Sequence, residues 1–310
     1  MGTMRLRRGA SAVVAAVAAG AMVPAGVAFA SSAPAAPAPA ASTLLMTKGG
    51  DLFTITSDKT GLKRLTSRGD ILNAEWSPDK SKIAFTAEVS GNVDVYLMSS
   101  TGSDTRRLTS SPARDEDVTW SPDGRTLLFT SFTECTSDIF RVNIAPGSRP
   151  VRFTRAKCDD VSDYFERADW HPDGTKILVW HGYYDGGPGG GGWSAETRSA
   201  STGALIKDLG MDVLNMGWSP NGQQIAGTIP AFYDDTYMDN VGLWNAAGCK
   251  LNNVTTSNEA FATTFAAWSP DGKKIGYDRS GPRGTGIWTS NPNGTGAAMF
   301  LSGYDLQDWK

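Results

Sequence analysis

Short apolar runs alternate with polar turns along most of this chain, and no run keeps a helical period. The clearest are Lys82-Ile83-Ala84-Phe85, Thr126-Leu127-Leu128-Phe129, Lys176-Ile177-Leu178-Val179, Gln224-Ile225-Ala226-Gly227 and Lys274-Ile275-Gly276-Tyr277. Each is short, rich in β-branched, aliphatic or aromatic residues, and bounded by Gly, Pro, Asn or Asp, which is the pattern of a strand between tight turns. The chain therefore reads as all-β.

The runs belong to a repeat. Glu75-Trp76-Ser77-Pro78-Asp79 returns around Trp120, Trp170, Trp218 and Trp268, and a worn copy, Asp308-Trp309-Lys310, comes last. The Trp spacings are 44, 50, 48, 50 and 41 residues. A period near 45 residues means stacked supersecondary units, and at about 40–50 residues the usual result is a propeller. In each unit a strand ends at Trp, a Ser-Pro-Asp-Gly turn follows, and one of the runs above leaves it. A third strand comes next, as in Asp94-Val95-Tyr96 or Asp138-Ile139-Phe140, then a fourth, as in Arg107-Leu108-Thr109. Four antiparallel strands make one blade. The first unit, Leu44 to Thr66, has no Trp strand before it, and Leu306-Gln307-Asp308-Trp309 supplies one. The expectation is a six-bladed β-propeller closed by the C-terminal strand entering the first blade, which leaves no open seam.

In the turn, Pro presets φ, Asp caps, and Gly takes the left-handed position. Lys80 stands where Gly is expected, so that turn should be strained by about 1–2 kcal/mol or wider. A ligand-stacking set is one reading of the tryptophans, but a position repeated in every unit points to wedges between blades. The turn aspartates read as caps rather than cation ligands.

The W-S-P-D-G turn, the D-I-Y-like third strand and the closing R-L-T together resemble the TolB-like, WD40-like β-propeller repeat, over residues 43–310. The resemblance implies a docking platform for other proteins. Neither the α/β domain that precedes the propeller in TolB nor the hydrolase domain of prolyl-oligopeptidase-type peptidases has a counterpart in the sequence, and the Gly-His and Trp-Asp marks of ordinary WD40 repeats are missing.

Residues 1–30 read as a secretory signal: Arg5, Arg7 and Arg8, then a small apolar stretch, then Ala28-Phe29-Ala30. Arg7-Arg8 leaves Sec and Tat export both open. Residues 31–42 are Ala, Pro and Ser, a semi-extended linker that cannot bury a core. The mature chain is expected outside the cytoplasm, as a monomer with no transmembrane segment. Without the three signal arginines it has 29 − 3 = 26 basic against 32 acidic residues, a net charge near −6. That balance argues against nucleic acid, which needs a basic stripe. Of three cysteines, Cys135 and Cys158 flank one blade on one face and suit a disulfide, and Cys249 is left unpaired.

Strand order puts the Ser-Pro-Asp-Gly turns on one face and the long irregular loops on the other. Insertions confined to one face of a repeat fold mark its binding face. The candidate contacts there are Asp163 and Tyr164; Tyr183, Tyr184 and Asp185; Phe232, Tyr233, Asp234, Asp235 and Tyr237; and Asp117 from a blade connection, with Asp70, Asp115, Glu116, Asp212 and Asp305 on the same rim. Carboxylates interleaved with aromatics suit a basic peptide, a glycan or a hydrated cation, although scattered acids on solvated loops are also ordinary. Asp234, Asp235 and Asp239 are the weak candidates for Ca²⁺, the one cofactor considered. No catalytic residue is assigned. With two histidines a three-histidine metal centre cannot form in one chain, and no G-x-S-x-G elbow is present. His181, Tyr183 and Asp185 would be the acid–base set of a polysaccharide lyase or hydrolase, one alternative to a non-enzymatic module that binds a protein or cell-envelope component; a Ca²⁺-stabilised surface protein is the other.

Overall fold

The computed structural model describes residues 41–158, 162–184, 191–230, 232–233, 236–237, 240–255, 262–281 and 284–310. The signal reading and nearly all of the linker lie outside these residues. Among the described residues every regular element is a strand, and no helix is long and apolar enough to cross a membrane.

The strands form antiparallel sheets named here by their tryptophans. The Trp76 sheet orders Ile71–Trp76, Lys82–Val89, Asn92–Ser99 and Arg106–Arg107. Two such units, the Trp120 unit (Arg114–Trp120, Thr126–Phe132, Ser137–Asn143, Val151–Arg152) and the Trp170 unit (Ser162–Trp170, Lys176–Tyr184, Gly191–Ser199, Leu205–Asp208), share one sheet through a single parallel pairing of Ser137 with Tyr164. The Trp218 sheet (Leu214–Trp218, Gln224–Ile229, Asn240–Asn245, Lys250–Asn253) and the Trp268 sheet (Ala262–Trp268, Ile275–Gly281, Gly284–Ser290, Ala298–Ser302) follow. In the Trp309 sheet the last strand, Asp305–Trp309, pairs antiparallel with Thr43–Lys48, beside Asp51–Thr56 and Lys63–Arg64.

The turns follow the sequence grammar. Ser121 Oγ donates to Asp123 Oδ1 at 2.6 Å, Asp123 Oδ1 accepts the Arg125 amide at 3.1 Å, and the Gly124 amide donates to Ser121 O at 2.8 Å. Lys80 makes the same 2.8 Å bond to Ser77 O with φ 58°, so its turn is strained and not wider. His171 takes the place of Ser in its turn, where Nε2 donates to Gly222 O at 3.1 Å and the ring meets Trp218 edge-on. That histidine ties one turn to the next.

Each apolar cluster lies between consecutive units. Leu45 and Leu52 pack with Trp76, Ile83 and Phe85; Ala84 and Val95 with Trp120 and Phe129; Ile139 with Phe165 and Ile177. Leu178 and Ala195 pack with Trp218, and Val241 with Trp268 and Tyr277. A last cluster brings Ala267 and Ile287 against Leu44, Met46 and Trp309. The tryptophans are the wedges: all but the half-buried Trp170 are buried, and Trp120 Nε1 donates across the seam to Glu75 O at 3.1 Å. Emptying one such seat by Trp→Ala costs about 3–5 kcal/mol.

Candidate binding face

Carboxylates before the tryptophans link the Trp-bearing strands of different units. Asp308 Oδ2 accepts the Trp76 amide at 3.0 Å, Glu75 Oε2 the Trp120 amide at 3.1 Å, and Asp169 Oδ2 the Trp218 amide at 2.7 Å. Lys310 Nζ lies 3.4 Å from Glu75 and 3.9 Å from Asp308. Burial raises the Glu75 carboxyl well above its usual range against the pull of Lys310, and raises Asp169 to about 6. These groups hold one another; their amide bonds and the lysine account for them structurally.

At the opposite strand ends lie the long loops. Cys135 and Cys158 form a disulfide there, with Cα atoms 5.9 Å apart, and Cys249 is free and exposed. The hairpin of Lys176–Tyr184 with Gly191–Ser199 has nine-residue strands, against six to eight in the corresponding hairpins of the other units. Its end carries Tyr183, Tyr184 and Trp193, exposed by 46%, 54% and 46%. Glycines make room for aromatic rings here. A Cβ on Gly192 would meet the Tyr183 ring at 3.0 Å, and one on Gly182 the Trp180 ring at 2.8 Å. Trp193 Nε1 donates to the Asp212 carboxylate, which fixes that ring at the rim.

Asp163 pairs across strands with Tyr183, and Tyr164 with Gly182, so both sit beside the exposed rings. Asp117 lies within a strand, at a bulge with φ 52°, and burial raises its carboxyl despite Arg167. Asp115 is buried and accepts Ser131 Oγ at 2.6 Å, so it does not present a free charge at the rim. Phe232 and Tyr233 form a small backbone ladder with Thr236 and Tyr237. Asp185, Asp234, Asp235 and Asp239 lie outside the described residues. Among the described residues no cluster of three His, Cys, Asp or Glu side chains is arranged to hold a metal ion.

Sequence reading missed Trp193, Glu196 and Arg198. His181 Nδ1 donates to Glu196 Oε1 at 2.7 Å, and Arg198 Nε donates to Glu196 Oε2 at 2.7 Å. Burial opposes charge on Glu196, but these two donors hold its carboxyl below the usual range. The signal was available by aligning the repeats, because Glu196 occupies a column held elsewhere by Phe53, Tyr96 and Phe140.

Residues 54–186 match the family model of the TolB beta propeller domain. Over that stretch the chain carries the TolB-like β-propeller repeat. It is similar to the Tol-Pal system protein TolB of Anaeromyxobacter dehalogenans, 49% identical over 45 residues, which is 14% of this chain and 10% of that protein. Its fold matches the crystal structure of TolB from Acinetobacter baumannii with a TM-score of 0.68 at 18% identity, over 87% of this chain and 66% of that one. It also matches an oligogalacturonate lyase in complex with manganese, TM-score 0.54 at 17% identity, over 84% of this chain and 74% of the lyase. The match thus spans a tenth of the first relative and just under two thirds of the second, and the same fold occurs in a lyase.

Proposed function

We propose that this chain is an exported, monomeric, six-bladed propeller, closed by its C-terminal strand, that docks a protein or other cell-envelope component on its loop face without catalysis. The observation that carries the reading is the exposed trio Tyr183, Tyr184 and Trp193 at the end of the longest hairpin. Tyr and Trp combine large apolar area with a polar handle and dominate binding hot spots. The Cys135–Cys158 disulfide supports a compartment outside the reducing cytosol, and the pairing of Asp305–Trp309 with Thr43–Lys48 supports closure.

The test is site-specific photo-crosslinking in the host envelope, with the reactive group at Tyr184 or, on the turn face, at the exposed Lys273. A discrete adduct from position 184, lost on Trp193→Ala, is the expected result. Adducts of equal yield from both faces would refute the face assignment.

A second reading, a uronic-acid lyase or hydrolase, draws on the His181–Glu196 pair, since a carboxylate-oriented imidazole suits proton abstraction. Its Nε2 is buried, which ranks this reading second. Turnover of uronic-acid polymers that His181→Gln abolishes would reverse that order.

A further inference from the structure

The repeats serve as controls for the Trp170 unit. In the column of Glu196 the other third strands carry Phe53, Tyr96, Phe140, Gly242 and Trp288. In the column of Arg198 they carry Ile55, Met98, Val142, Trp244 and Ser290. The fold therefore needs no charge at either place. Charged groups taken from water are costly, and a local rule broken in one unit alone marks a functional site more often than a structural need.

His181 is the centre of the exception. Its ring stacks on Phe165 with centroids 4.3 Å apart, and Arg198 lies over the same Phe165 at 4.5 Å. Glu196 is ionised and so only accepts, which places the imidazole hydrogen on Nδ1. Nε2 is buried, has no hydrogen-bond partner, and lies 3.7 Å from Asp163 Oδ1. That distance is too long for a hydrogen bond and short enough to become one by a small side-chain turn.

Asp163 has a second attachment. Its amide donates to Lys157 O at 3.0 Å, and its Oδ2 accepts the Lys157 amide at 3.3 Å. Cys158, next in the chain, bridges Ser162 and is disulfide-bonded to Cys135. Asp163 is also the cross-strand partner of Tyr183. One carboxylate thus joins His181, the disulfide-tied connection and the hairpin end that bears the exposed rings.

We propose that His181 is a proton-operated clasp. A proton taken from water onto Nε2 turns an unpartnered acceptor into a donor. The imidazolium then bonds Glu196 through Nδ1 and Asp163 through Nε2, and Asp163 is drawn onto it. The start of the strand Ser162–Trp170 is thereby fixed to the hairpin. The charged groups around the ring are Asp163 on the first strand of the unit, Glu196 and Arg198 on the third, and Asp208 on the fourth, whose carboxyl feels the imidazole charge. The neighbouring Trp120 unit meets this face with Leu128 and Ile139. The consequence for docking rests on the loop-face reading; the clasp itself does not.

The experiment uses the whole ¹⁵N-labelled protein. With two histidines in the sequence, the imidazole nitrogens give two spin systems, and His171→Gln assigns them. Above its titration His181 is expected as the Nδ1–H tautomer. Asp163→Asn and Asp163→Ser should each lower its midpoint by about one pH unit or more, as removal of an opposite charge within about 4–6 Å does. The Asp163 amide should exchange more slowly, relative to its intrinsic rate, below that midpoint in wild type and not in His181→Gln. An Nε2–H tautomer, a midpoint unmoved in both Asp163 variants, or equal protection in His181→Gln would overturn the clasp. Failure of the crosslinking test with this titration intact would refute the docking reading alone.

Discussion

Replacing Asp278 by Asn should stabilise the propeller, and by an amount that grows with pH. Asp278 is 8% exposed, and its Oδ1 accepts the Leu306 amide at 2.8 Å. Burial, with Asp305 adding repulsion against that one bond, pushes its carboxyl up from 3.8 to about 8. An unfolded aspartate loses its proton near 4, so between about 4 and 8 the folded state holds a proton that the unfolded state has released. Stability rises with pH only where the unfolded state binds more protons, so this group makes stability fall across that window. The window spans about four pH units at about 1.4 kcal/mol each, an upper limit on the order of 5 kcal/mol at pH 8. Asn keeps the shape and the acceptor for Leu306 and carries no charge. Urea unfolding of both proteins at pH 5, 6, 7 and 8 measures the difference directly. The other carboxylates raised by burial, such as Asp115 and Glu166, contribute to both proteins and largely cancel. An advantage for Asp278→Asn of about 1–2 kcal/mol at pH 5 that grows to about 5 kcal/mol at most at pH 8 is expected. Parallel curves across the whole range would refute the reasoning.

Three further outcomes follow from the same structure. Lys310→Met leaves Glu75 and Asp308 without their ammonium and should cost about 3 kcal/mol at pH 7.5 by urea unfolding; at pH 5 the loss should shrink, because the raised carboxyls of Glu75 and Asp169 are then protonated. Lys80→Gly relieves a left-handed φ of 58° at a place where the other turns have Gly124 at 67°, Gly174 at 72°, and Gly222 and Gly272 at 68°, and should gain about 1 kcal/mol, a rise of about 2 °C by calorimetry. Millimolar Ca²⁺ is expected to leave the melting temperature unchanged; a rise would establish a Ca²⁺ site, since a ligand that binds only the folded state must stabilise it.

The repeat made the strands legible because turn chemistry and burial agree at every copy. Trp, Ser, Pro, Asp and Gly each have one job at one place, and His171 shows the rule surviving a substitution, since its ring still reaches Gly222. What stayed hidden was what the average repeat conceals. Asp117, Arg167 and Asn215 adopt left-handed φ at bulges three residues before their tryptophans, and no local pattern announces a bulge in a strand of ordinary composition. Asp117 therefore read as a residue of a blade connection, whereas it stands within the strand Arg114–Trp120. The Asp51–Arg64, Asp94–Arg107 and Asp138–Arg152 pairs recur between third and fourth strands, and the Trp170 unit replaces that pair by Ser194 donating to Asp208. Reading each unit for its likeness to the others finds the fold. Reading it for its departures finds His181, Glu196, Arg198 and Trp193, all in one unit. Structure constrains every copy alike, so residues that serve structure converge on a consensus, and a function confined to one unit must appear as a difference from it.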